Sequence, residues 1–232
     1  MDKHESEHLA RPQSQTALQK IAQLIRSSRA TIVLAVSLLV LLWILRNIIT
    51  GDIQRFDGLA YQLFVVKLRR SWLTPIMESF STLASTAVFF VMLFVISAFA
   101  PGKAPGRCAA INLICVVFLN TALKEIVQRP RPEGFRLVAE TGYSFPSGHS
   151  MVSMAFYGLL IWMIWHYEKD RLMAWIYIIF FSGIIVMVGV SRIYLGVHYA
   201  SDVVAGFAVS LVWLSIFTRI IAPVFMEENA RL

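Results

Sequence analysis

The chain has 232 residues, 57% of them hydrophobic and only 15% charged, with a formal net charge of +7 and a mean hydropathy of +0.66. Soluble domains lie nearer half apolar and a quarter charged, so an ordinary water-soluble globule is excluded and the apolar surplus has to face lipid. The positive charge sits mostly in short segments between apolar runs, which fits membrane orientation and anionic headgroups and argues against a nucleic-acid partner.

Residues 1–28 form a polar tail containing Lys3, Arg11, Lys20 and Arg26. The tail is expected to turn helical from about Gln15 and to act as an orientation signal. The remainder, 29–232, is expected to be a single domain of six spans, at about 30–50, 73–100, 108–127, 150–167, 172–192 and 199–222. Each approaches the roughly 20 residues that cross a bilayer core. A short interfacial helix is expected around 57–70. Unpaired backbone groups are not tolerated in hydrocarbon, and the period-2 alternation of a barrel is absent. The fold class is therefore all-α, a polytopic membrane protein with six transmembrane helices in one bundle. The first apolar run starts near Ala30 without a small-residue cleavage site, so it is expected to be a retained span. Cys108 and Cys115 lie two turns apart on one helix, out of reach of each other, and read as small core residues.

Three short basic segments alternate with the spans: the tail, the loop Pro101–Arg107, and the loop carrying Lys169 and Arg171. Six spans put these and the C-terminus on one side, which the positive-inside rule makes cytoplasmic. The opposite, outer side receives 51–71, 128–149 and 193–198. Those segments also carry Arg129, Arg131, Arg136 and Arg192, against the rule, and call for a separate explanation.

Three clusters near the outer side carry chemistry. Lys124 to Pro132 ends the third span, Tyr143 to His149 opens the fourth, and Ser191 to Asp202 joins the fifth to the sixth. One intramembrane cation explains itself by snorkelling to headgroups. Four of them (Lys124, Arg129, Arg131, Arg192) near two histidines suggest a pocket for a multiply charged anion, with Arg supplying planar forks and Lys a point charge. Pro146-Ser147-Gly148-His149 puts a helix N-terminus, with its free N–H groups, beside that pocket. A plain N-cap accounts for Ser147 but not for His149. His198 and Asp202, four apart, are expected to be neighbours on a helix, where a carboxylate on one ring nitrogen leaves the other free to attack. His149, His198, Asp202 and Glu140 are also the residues from which a metal site would be built. The surrounding cations would repel such a metal, so none is expected. Glu140 is expected to contact His149 or a substrate headgroup.

In order and spacing these clusters resemble the type-2 phosphatidic acid phosphatase superfamily. The family pattern is Lys, six residues, Arg-Pro; Pro-Ser-Gly-His; then Ser-Arg, five residues, His, three residues, Asp. Lys124 with Arg131-Pro132, Pro146 to His149, and Ser191-Arg192 with His198 and Asp202 match every position. The resemblance implies that His198 is the nucleophile, that Asp202 orients it, and that His149 protonates the leaving oxygen and later activates water. It implies that Lys124, Arg131, Ser147, Gly148 and Arg192 hold phosphate oxygens. The expected activity is cofactor- and metal-free hydrolysis of a membrane lipid phosphate or pyrophosphate through a phosphohistidine. Phosphatidylglycerophosphate, phosphatidate, diacylglycerol pyrophosphate and undecaprenyl pyrophosphate remain open as substrates. A lipid phosphotransferase using the same intermediate is the alternative, and an anionic-lipid transporter a more distant one.

Overall fold

The computed structural model describes residues 17–100 and 102–228; most of the tail expected at 1–28 lies outside them. Helix α1 spans Ala17–Thr50 and runs through position 28 without a break. The expected interfacial helix is α2, Gln54–Tyr61, which continues as a π-helical turn over Gln62–Lys67. Then follow α3 (Thr74–Thr82), α4 (Thr86–Phe99), α5 (Ala104–Val127), α6 (Gly148–Tyr167), α7 (Arg171–Tyr194) and α8 (Ala200–Ile216). A second π-helical turn, Phe217–Ile221, leads into α9, Ala222–Glu228. Among the described residues five helical stretches are long and apolar enough to cross a membrane, the last being Ala200–Phe225; α3 and α4 together make the sixth.

That sixth span differs from expectation. A single helix over 73–100 is instead two helices bent by 51°. The cause lies in the polar run Ser79 to Thr86. Ser79 and Thr82 hydroxyls donate back to the carbonyls of Pro75 and Glu78, and Ser85 leaves the helix to cap α4 through the Val88 N–H. Such side chains offer the backbone alternatives to the helical ladder. The carbonyl of Leu83, at the bend, accepts from Tyr157 Oη at 2.8 Å, so it is not left unpaired in the bilayer.

Helix α6 packs against α5, α7 and α8, while α1 lies along α8 and α3 along α7. Leu39, Phe94, Phe118, Ile179 and Phe180 stand outward, as a lipid-facing surface requires. Inside, Asn112 on α5 donates to the Ala155 carbonyl on α6 and accepts from Trp213 Nε1 on α8, each at 2.8 Å. This ties three spans at membrane depth by polar contacts. Gly206 on α8 lets the entry to α6 approach closely: a Cβ there would lie 3.0 Å from the Ser147 carbonyl and 3.1 Å from Ser150 Cβ. Close approach at this point brings the starts of α6 and α8 together, at the end of the bundle where α5 and α7 finish.

Candidate active site

Helix α5 ends at Gln128, whose left-handed backbone (φ 49°) returns its N–H to the Lys124 carbonyl. Pro130 and Pro132 then keep the chain out of helix. The segment 128–147 crosses the end of the bundle as a loop, and the turn at Gly196 (φ +74°) carries the chain from α7 to His198 beneath it. Gly196 is required there: a Cβ would meet the Phe135 carbonyl at 2.3 Å.

His198 is buried at 3% exposure. Its Nε2 lies 3.2 Å from Arg131 Nη1. A guanidinium only donates, so Nε2 is the acceptor and the ring proton sits on Nδ1; the network, rather than the hydrogen itself, sets this tautomer. Nδ1 faces Asp202 Oδ2 at 3.6 Å and the Ser144 hydroxyl at 3.4 Å. Burial pushes the His198 pKa down to about 4, against the pull of Asp202 and with help from Arg192 and Arg131. The ring is therefore neutral at pH 7, with a lone pair on Nε2.

The His198–Asp202 relationship is not the helix-face pairing expected from their spacing. His198 precedes α8, and Asp202 sits in its first turn, where Oδ2 accepts the Tyr199 N–H at 2.9 Å. Ser144 Oγ donates to the same carboxylate oxygen. The imidazole is thus linked to Asp202 partly through Ser144, which sequence reasoning passed over. Its only signal was its place three residues before Ser147.

Arg131 is held by three carbonyls besides the histidine: Gly142, Thr141 and Val197. Arg192, 2% exposed, donates to Ser81 Oγ at 2.6 Å, a contact that the α3–α4 bend supplies. Its other arm meets Glu140, whose second oxygen lies 3.6 Å from Arg131. Arg192 Nε is buried with no partner among the described residues, an orphaned donor beside a cation cluster. Burial opposes charge on Glu140, but Arg192, Arg131 and His149 outweigh it and hold the carboxyl below its usual range. Glu140 therefore binds the arginines first and His149 only through the field. Lys124 Nζ donates to the Tyr143 carbonyl at 2.6 Å, keeping its two remaining donors. Ser147 stands at the N-cap of α6 but makes no side-chain cap. The first-turn N–H groups at Gly148 and His149 belong to those that a helix start leaves without an intrahelical partner.

One expected member of the pocket is elsewhere. Arg129 does not join Lys124, Arg131 and Arg192; it turns to Asp202 Oδ1 (2.7 Å) and Asp57 (2.8 Å). Among the described residues no three His, Cys, Asp or Glu side chains converge as metal ligands.

A lipid-facing bundle that gathers a buried histidine, two arginines and a helix N-terminus at one end defines a polytopic membrane protein with a polar cluster of cations at that end. A PAP2 superfamily profile matches residues 105–225, just over half of the chain and every motif residue above. The chain belongs to the PAP2 superfamily, as a membrane lipid phosphatase. It is 33% identical over 170 residues to phosphatidylglycerophosphatase B of Bacillus subtilis, covering 70% of this chain and 81% of that protein. It is 30% identical over 113 residues to lipid A 1-phosphatase of Rhizobium johnstonii, covering 44% and 42%. The crystal structure of a transmembrane PAP2-type phosphatidylglycerolphosphate phosphatase from B. subtilis superposes with a TM-score of 0.72 at 28% identity, over 81% of this chain and 96% of that one.

Proposed function

We propose that this protein hydrolyses a lipid phosphate monoester or pyrophosphate by a metal-free, two-step mechanism through a phosphohistidine. The observation that carries the proposal is the Nε2 lone pair of buried His198, facing Arg131 with Asp202 behind the ring. In the first step Nε2 attacks phosphorus, the bond to the leaving oxygen breaks, and His149 gives that oxygen a proton. In the second, His149 takes a proton from water, the oxygen attacks phosphorus, and the P–N bond breaks to release phosphate. Lys124, Arg131, Arg192, Ser147 and the Gly148 N–H stabilise the charge on the equatorial oxygens. These cations supply the charge that a metal brings to other phosphoryl transfers.

A lipid substrate is supported by an apolar groove of about 660 Å³ between α4 and α5, lined by Phe89, Leu93, Leu113, Val117 and Thr121. Thr121, at one end of the groove, lies one helical turn before Lys124 on α5. Among the candidate lipids phosphatidylglycerophosphate ranks first, because a relative matched over 81% of its own length is named for it. Undecaprenyl pyrophosphate and phosphatidate are the next to test. The site faces outward and both termini face the cytoplasm, with 1–28 as the tail and 29–232 as one catalytic domain.

The test is phosphate release by the full chain in detergent from this lipid panel, with and without EDTA, beside His198→Ala. Release that resists EDTA and disappears in the variant supports the proposal. EDTA-sensitive release, or an active His198→Ala, overturns it. Transfer of phosphate to a second lipid without free phosphate would establish a phosphotransferase instead.

A further inference from the structure

Arg129 poses an electrostatic problem. Its guanidinium sits 2.7 Å from Asp202 Oδ1, closer than His198 Nδ1 is to the same carboxylate at 3.6 Å. Taken alone, that cation would cancel much of the field by which Asp202 acts on the histidine, because all three groups are largely shielded from water. A second carboxylate prevents this. Asp57, on α2 and 5% exposed, meets Arg129 Nη2 at 2.8 Å. It also accepts the Ser201 N–H at 2.9 Å and the Ser201 hydroxyl at 2.7 Å. Ser201 Oγ in turn receives Arg129 Nη1 at 2.8 Å. The ring of Tyr199 covers the guanidinium at 4.0 Å. Two carboxylates thus share one cation, leaving a net negative charge behind His198.

We infer that Asp57 is a positioning residue for catalysis: it engages Arg129 and Ser201 so that Arg129 does not cancel the field that Asp202 places on His198. This rests on the role of His198 as nucleophile. Asp57 lies far from the motifs in sequence and belongs to the amphipathic segment between the first two spans. That gives α2 a second task, because its seat on the bundle end sets the net charge behind the His–Asp pair. The segment reaches the site from behind, since neither Asp57 nor Arg129 contacts the nucleophilic Nε2 side of the ring.

The test is a charge cycle in the full chain in detergent, with kcat, KM and thermal unfolding measured for each variant. Asp57→Asn removes the charge and keeps the shape, leaving Arg129 to neutralise Asp202. It should lower kcat about tenfold, within the range over which neighbours in one ion-pair network couple, and leave KM near wild type. Asp57→Asn combined with Arg129→Gln restores a single negative charge on Asp202 and should recover most of that loss. A purely structural role predicts the reverse order, because the double variant loses more contacts. A kcat within twofold of wild type for Asp57→Asn overturns the inference, as does a double variant slower than the single one. If Asp57→Asn does not survive purification, the double variant decides: folded and active supports the inference, folded and inactive overturns it. His198→Ala in the same assay separates the two levels. If it still turns over, the nucleophile assignment has failed; if it is dead while Asp57→Asn is unaffected, only the inference has failed.

Discussion

Arg131 Nη1 lies 3.2 Å from His198 Nε2, so in the resting site a cation covers the lone pair that has to attack phosphorus. The contact assigns the tautomer and also places a donor where a transferring oxygen will be. Arg131→Lys keeps the charge but loses the fork that holds three carbonyls and the ring together. Its kcat/KM should fall about 100-fold, as when one preorganised donor is removed from an oxyanion site. A steady-state comparison with wild type on one lipid checks this; a loss under threefold would make Arg131 a bystander.

The pH dependence follows from the depressed His198 pKa of about 4, against an ordinary 6.5. The neutral ring is the reactive form, so the acid limb set by this residue should lie near pH 4, not near 6.5. The groups facing the ring are Asp202, Ser144, Arg131 and Arg192. Stability has the same sign. The unfolded chain takes up the His198 proton first, so this contribution is present above pH 6.5 and is lost as pH falls toward 4. Thermal unfolding of wild type and His198→Gln between pH 4 and 7 checks it, and the variant should show the shallower acid slope.

Glu140 occupies Arg192 and approaches Arg131, as an anionic ligand would. Glu140→Gln removes that competitor and should tighten inhibition by inorganic phosphate or vanadate several-fold. Competition assays give the answer directly. Unchanged or weaker inhibition would mean that Glu140 serves to orient the arginines and does not compete with substrate.

Ser144 donates to Asp202 and lies 3.4 Å from His198 Nδ1. Ser144→Ala leaves a buried carboxylate short of one donor, which should cost about 1–2 kcal/mol of stability. It should also lower kcat about tenfold, equivalent to about 1.4 kcal/mol in the barrier. Ser144→Thr, retaining the hydroxyl, should recover part of both losses, as read by melting and turnover.

Much of this protein is legible in local features. The apolar runs place five of the six spans within a few residues, because lipid requires long helices of apolar residues wherever they lie in the chain. The motifs carry His149, His198, Asp202, Lys124, Arg131 and Arg192 in order. The bend at Ser79 to Ser85 was also written locally, in a polar run that a hydropathy reading averages away.

What only the folded chain decides is which charge meets which. Arg129 and Arg131 are two residues apart in one motif, yet one holds Asp202 from behind while the other faces His198. Asp57 joins Arg129 across 72 residues, and Ser144 joins Asp202 across 58. Helical periodicity links neighbours three or four apart on one element. It is silent on a loop that folds back over four helix ends, where burial leaves each charge only the partners that packing brings within reach.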